Sequence, residues 1–392
     1  MGLRLGQGHR RASSRPEERR GGKAEARKGE ESSGGLARSA GKAEAPALNM
    51  GGEEALAAFG ARRKKERESE PEESRTDPKA YEARHYRLFW NNNFAAECGS
   101  YEDTTSISPM SFTDRRCTFA DMQSTLQIFS VKVEEIMGGL QWPLHVYGMV
   151  AARDIVDRNR NIIFHRQRDN FQSITEEDPY LALTGPTRAV VVNVHPVYFE
   201  VDLKVKGAIE SEDRDLSFLA LCYTCNGPCI SYVTNLVGTS KLSTLKFTFG
   251  HILNSVEATV NVEVISGRWP CDYQGVFTAK TSNIDDMDIV MLAFEDGKLP
   301  MDDDCKIKLS RRVICVELVP PEENRKKSKL MLTMKALHIN DINGKVEHYL
   351  SFKPKKNGRS HRKIKVGPCE IQVTVAWSLL STFKCFYEEA IS

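Results

Sequence analysis

Runs of strictly alternating apolar and polar residues recur along this chain from about Leu126 to Leu380, and no long amphipathic helical period interrupts them. In the run Val197 to Val205, residues Val197, Phe199, Val201, Leu203 and Val205 fall on one side, and Glu200, Asp202 and Lys204 on the other. A repeat of two is the period of a half-buried strand. The same alternation returns in Val256–Val264 and Ile371–Leu379. It predicts strands near 125–136, 143–152, 160–166, 187–192, 197–206, 216–223, 244–249, 255–266, 274–281, 287–294, 306–318, 329–339, 345–353 and 368–380. Asn343-Gly344 has the residues of a two-residue hairpin turn, and Gly138-Gly139, Asp296-Gly297 and Asn357-Gly358 are further turn sites. Short strands at this spacing predict an all-β, antiparallel β-sandwich core, as one large sandwich or two packed ones.

The pattern fails before residue 80. Residues 1–80 are rich in Gly, Ala, Ser, Arg and Glu and poor in aliphatic and aromatic side chains. They are read as a disordered low-complexity tail, because such a segment buries too little to offset chain entropy. Met50 is an alternative start within it. Residues 81–121 carry Tyr81, Tyr86, Phe89, Trp90 and Phe94 and then turn polar, which suggests a linker partly docked on the core. The β-sandwich domain follows over 122–392, with 210–215 and 226–243 as its two candidate waists.

Across its 392 residues the chain is 40% hydrophobic and 28% charged, with a formal net charge of +2, so the total charge selects no partner class. There is no apolar leader and no run approaching the roughly 18 apolar residues of a spanning helix. Gly6 stands where a myristoylation motif needs Ser or Thr. The expected location is the cytoplasm, with Arg62–Arg67 as a short basic patch suited to nuclear import. Ten cysteines are too few for a disulfide scaffold. Cys222, Cys315 and Cys369 read as small core residues. Cys222, Cys225 and Cys229 form a C-x-x-C-x-x-x-C run, but zinc needs a fourth ligand that the neighbouring sequence does not offer. A thiol-rich turn is the simpler reading.

Several blocks together carry a resemblance. Trp142–Asp154, Leu183–Ala189, Phe199–Lys206, Ser255–Val260 leading to Gly267–Pro270, Leu309–Val313 with Val316-Glu317, and Val373–Leu379 occur in order. With these blocks the chain resembles a plant family, expanded in grasses, that is known as a domain of unknown function, DUF 6598. More loosely it is similar to the C-terminal module of jasmonate-induced cereal proteins. The resemblance implies a setting in stress or defence and supplies no catalytic residues. In those cereal proteins a ribosome-inactivating N-glycosidase is a separate domain, whose hallmark is a Glu and an Arg with two residues between them on a buried helix. The matching pairs here, Glu17 with Arg20, Glu72 with Arg75 and Glu322 with Arg325, fall in the tail or a charged loop.

Candidate chemistry is sparse. Phosphate-loop and dinucleotide fingerprints are missing. Asp154 and Asp157 in one loop, and Asp302, Asp303 and Asp304 in another with Asp285, Asp286 and Asp288 upstream, are weak candidates for a calcium site of the C2 type, because calcium takes six to eight oxygens from converging loops. His145 and His165 flank the Asp154 loop without a nucleophile. Lys353, Lys355, Lys356, Arg359, Arg362, Lys363 and Lys365 crowd one Asn-Gly turn, and Arg325, Lys326, Lys327 and Lys329 crowd another. If both turns share one end of the sandwich they form an anion-binding rim. The first seven are the anion-binding candidates, and RNA and acidic lipid are the ligands that such a rim suits.

These observations predict a binding or interaction module that works without catalysis and without a cofactor. Its partner is expected to be a protein at an exposed sheet edge, or RNA or lipid at the basic rim. N-glycosidase-associated activity and calcium-dependent lipid binding are the two alternatives.

Overall fold

The computed structural model describes residues 74, 76–115, 117–225, 227, 229–284, 287–318, 328–341 and 344–382. Its strands, in chain order, are β1 (Gln123–Ile136), β2 (Leu144–Arg153), β3 (Asn161–Arg166), β4 (Gln172–Ile174), β5 (Val190–Val191), β6 (Val197–Val205), β7 (Arg214–Tyr223), β8 (Tyr232–Thr239), β9 (Ser243–Ser266), β10 (Tyr273–Thr281), β11 (Ile289–Phe294), β12 (Val313–Glu317), β13 (Leu330–His338), β14 (Lys345–Phe352), β15 (Gly358–Val366) and β16 (Cys369–Ser378). All pairings between them are antiparallel, which is the predicted fold class.

Strand β9 organises the rest. Its 24 residues are read in the sequence as two strands, 244–249 and 255–266, because Gly250, His251 and Asn254 break the alternation. In the structure one strand runs through. Its first half pairs with β1 and β8, and its second half with β12 and β16. The first half, with β1, faces a sheet ordered β3-β2-β6-β7, and between them lies a core that includes Leu126, Val150, Phe199, Val201, Phe247 and Phe249. The second half, with β12, β16 and β15, faces the sheet β11-β10-β13-β14 across Val260, Phe277, Met334, Val373 and Trp377. Two sandwiches therefore share one strand, and the division falls near Ser255 within β9. The acidic 210–215 stretch is a short 3-10 turn leading into β7, and 226–243 contains β8.

A helix stands where the sequence suggested a linker. Pro78–Cys98 is an α-helix, α1. Its apolar residues show almost no helical period, so the pattern could not reveal it. The end signals could have done so: the Asp77 carboxylate accepts a bond from the Ala80 amide (3.1 Å), Pro78 starts the helix, and Gly99 follows its last residue. Ala80, Ala83 and Trp90 are buried, and Trp90 donates its indole N–H to the Arg158 carbonyl (3.0 Å).

A third, smaller core joins the sandwiches. Ile107, Phe112 and Ala120 from residues 104–121 pack there with Val156, Val191, Ile252, Val313 and Cys315. Next to Ala189 of this core, the guanidinium of Arg188 is buried. Both Arg188 Nη atoms donate to the Asp154 carboxylate (2.7 and 2.8 Å), and Nη2 also donates to Asp157 (2.8 Å). Asp154 further accepts the amides of Val156 and Val191, and Asp157 the Asn159 amide and the Thr105 hydroxyl. Nearby on β9, Glu257 is fully enclosed and accepts the amides of Met110 (2.9 Å) and Ala189 (2.8 Å). Burial pushes the Glu257 carboxyl above the usual carboxylate range, against the pull of those amides and of Arg188.

Two outcomes test this packing. Arg188→Met leaves the buried carboxylates without their cation and is expected to cost about 3–5 kcal/mol in urea denaturation at pH 7. That deficit should shrink on acidification. A carboxyl with a raised folded-state pKa contributes stability that is present below the ordinary glutamate value and is lost as pH rises through the raised one. Asp77→Ala is expected to cost about 1 kcal/mol and to open Pro78–Cys98 to proteolysis before the sheets unfold.

Candidate functional site

The seven candidate cations lie on one connection and on the strand that follows it. Lys353, Lys355 and Lys356 lie exposed on the connection between β14 and β15, where Gly358 takes a positive φ of 82°. Arg359, Arg362, Lys363 and Lys365 lie on β15, a strand the alternation hid because only Ile364 and Val366 on its inner side are apolar. Pairing with β16 then sorts them. Arg359, His361, Lys363 and Lys365 share the outer face, whereas Arg362 falls on the other parity with its guanidinium 5.8 Å from the centre of the Phe352 ring. Arg325, Lys326 and Lys327 lie outside the described residues, so the second basic turn cannot be joined to the first.

What the outer face does build is a groove of about 650 Å³. Its floor follows the register across three strands, with His361 beside Thr374 and Thr374 beside Asn261, then Gln372 beside Glu263. One wall is residues 305–312, which run along β9 through Ile307 N–H to Val262 O (2.8 Å) and Val260 N–H to Arg312 O (2.9 Å). This wall brings Lys306, Lys308 and Arg312 to the groove, and Met110 also lines it.

The lining cations differ in how committed they are. Arg359 is paired with Asp114 (2.7 Å) and Lys306 with Asp304 (3.1 Å), which holds the Lys306 ammonium above its ordinary value. Arg312 and Lys308 are exposed and make no ion pair among the described residues. His361 uses Nδ1 on the Thr374 hydroxyl (2.9 Å) and keeps Nε2 without a described partner. Two carboxylates also line the groove, and both are engaged. Glu263 accepts from Gln372 Nε2 (2.6 Å), and Asp302 accepts the amides of Asp304 (3.0 Å) and Lys306 (2.8 Å). Arg312, Lys308, His361, Asn261 and Thr374 were not singled out from the sequence. They sit on four different chain segments, and no spacing rule links such positions.

The acidic candidates separate in the same way. Asp154 and Asp157 are buried against Arg188, so their oxygens are already spent on a guanidinium and on amides. Asp302, Asp303 and Asp304 are exposed on the 301–306 turn. Asp285 and Asp286 lie outside the described residues, and Asp288 is exposed. Among the described residues no group of three or more His, Cys, Asp or Glu side chains is placed to hold a metal ion. His145 bonds Ser173 (2.9 Å) and His165 pairs opposite Met149, away from the Arg188 cluster. Cys315 and Cys369 are buried as expected, but Cys222 is exposed, because the end of β7 carries it to the outer side. The three Glu and Arg pairs of the N-glycosidase pattern lie outside the described residues. No described helix is long and apolar enough to cross a membrane.

Comparison with known proteins adds little beyond the family. No curated protein matches the chain. Among solved structures, human GIVD cytosolic phospholipase A2 aligns at a TM-score of 0.21 and 8% identity, covering 67% of this chain and 31% of that one. The two tandem C2 domains of Extended-Synaptotagmin 2 align at 0.21 and 8%, covering 71% and 99%. The chain thus spans about a third of the phospholipase, and at such TM-scores neither likeness bears on fold or function. A family model does match over residues 125–375, which span most of both sandwiches and every residue of the groove floor and wall. The chain belongs to the family described as "Domain of unknown function (DUF6598)".

Proposed function

We propose that this chain is a non-catalytic binding module that takes a compact, multiply phosphorylated anion into the groove formed by β15, β16, β9 and residues 305–312. The observation that carries this reading is the uncommitted pair Arg312 and Lys308, set beside the free Nε2 of His361 and the uncharged groups of Asn261 and Thr374. A phosphate near neutral pH carries between one and two negative charges and three acceptor oxygens. A guanidinium binds such a group through two parallel N–H bonds, an ammonium acts as a point charge, and a concave wall raises the local potential. The engaged carboxylates Glu263 and Asp302 lie toward the Lys306 end, which leaves the Arg312 and His361 end for the anion.

A phosphorylated inositol head group suits this groove better than a nucleic acid strand. Single-strand binding relies on aromatic rings on which successive bases stack, and the groove lining holds no Phe, Tyr or Trp. The resemblance to the grass family and to the jasmonate-induced proteins supports a setting in plant stress or defence, in the cytoplasm or nucleus.

Titration calorimetry with inositol hexakisphosphate, together with co-sedimentation on vesicles containing a phosphoinositide, tests the reading and separates a free ligand from a lipid-borne one. Replacing Arg312 and Lys308 together by Ala is expected to weaken binding about tenfold or more, since bonds to charged groups contribute about 1.5–3 kcal/mol each. Replacing Lys355 and Lys356 on the turn is expected to change it less than about twofold, as for solvated surface charges. Equal binding by the Arg312 and Lys308 variant, or a preference of the intact chain for single-stranded RNA over both phosphoinositide probes, would overturn the assignment.

A further inference from the structure

The cysteine run that led nowhere in the sequence acquires a partner in the structure. Cys225 lies exposed on the connection from β7 to β8, with its Sγ 3.8 Å from Nε2 of His251. His251 stands on β9 with no exposed surface, between Gly250 and Ile252. Its other ring nitrogen, Nδ1, is held by the Tyr223 hydroxyl (2.9 Å), which also meets the Tyr232 hydroxyl (2.8 Å). The Tyr232 hydroxyl lies 3.4 Å from the same Nδ1. These three are the titratable side chains in contact with the imidazole among the described residues.

The order is that of an activated nucleophile: a thiol, a base within hydrogen-bonding reach of sulfur, and a hydroxyl that orients the base. Burial lowers the His251 pKa from its ordinary value, so the ring stays neutral near pH 7 and can accept a proton. The two tyrosine hydroxyls can hand a proton either way between themselves, so the Nδ1–H tautomer, which leaves Nε2 as the acceptor, costs no hydrogen bond. A thiol becomes the better nucleophile as its proton moves to such a base, because the thiolate is the attacking species. Cys271 and Cys305 are also exposed and have no imidazole within hydrogen-bonding reach among the described residues, which makes them comparators within the same molecule.

We infer that Cys225 is a peroxide-reactive thiol, with His251 as its base and Tyr223 as the positioning residue for that base. In the step, the Cys225 thiol proton passes to His251 Nε2 and the sulfur attacks the nearer peroxide oxygen. The S–O bond forms as the O–O bond breaks, and the departing oxygen takes the proton back from His251. The thiol is oxidised to a sulfenic acid and the peroxide is reduced to an alcohol, or to water where hydrogen peroxide is the oxidant. The inference does not depend on the anion groove.

The experiment uses the reduced full chain with hydrogen peroxide, traps sulfenic acid with dimedone, and reads each cysteine by peptide mass spectrometry over time. Cys225 is expected to be trapped about tenfold faster or more than Cys271 and Cys305 at pH 7, in keeping with the modest end of base catalysis. His251→Gln should remove most of that excess while the β-sheet circular dichroism is kept, and Tyr223→Phe should shift the pH at which the rate rises. A Cys225 rate equal to those of Cys271 and Cys305 in the unmodified chain would overturn the inference. So would an unchanged excess in folded His251→Gln. The comparison within the unmodified chain decides the matter even where His251→Gln does not fold.

Discussion

The hydrogen bonds of Arg188 to Asp154 and Asp157 are the constraint on which the arrangement of the molecule rests. They join the loop after β2 to the segment that leads into β5, and the Glu257 carboxylate on β9 takes the next amide along, Ala189. A buried ion pair gives little net stability compared with an apolar replacement, but it is intolerant of losing one partner. Here that intolerance falls where the loop after β2 and the segment before β5 meet the second half of β9. Glu257 also accepts the Met110 amide, and the Ser378 hydroxyl accepts the Phe112 amide, which fixes residues 104–121 there.

Through that segment the buried charges reach the surface groove. Met110 lines it, and three residues on, the Thr113 carbonyl accepts the Gly358 amide that starts β15. Asp114 then pairs with Arg359, one of the candidate cations, and takes it partly out of use. The groove thus keeps two kinds of cation: those neutralised in place, which shape it, and Arg312 and Lys308, which are left for a ligand. The competing effect is the pair of lining carboxylates. Because both accept hydrogen bonds at the far end, their repulsion of an anion orients it rather than excluding it.

Elements with a clean period of two, such as β6 and β16, were legible to within a residue or two. The rest was hidden for particular reasons. Strand β15 places Arg, His and Lys on its solvent side and has only Ile364 and Val366 to mark the inner one, so a strand read as a turn. Helix α1 buries Trp90 but has no apolar stripe, and only its end residues announce it. Asp154 and Asp157 carry the composition of a metal loop, and what decides their role is Arg188, more than thirty positions away. The blocks that carried the family resemblance contain Asp154, Arg188, Glu257 and Arg312, but their meeting around Arg188 and at the groove depends on strand register, which composition does not encode.

The measurement that bears most directly on the central claim is a crystal structure of the chain with inositol hexakisphosphate. The account predicts phosphate density against the Arg312 guanidinium, with His361 and Asn261 in contact, and Asp114 still holding Arg359. Density centred on Lys353, Lys355 and Lys356, with the groove filled only by water, would contradict it.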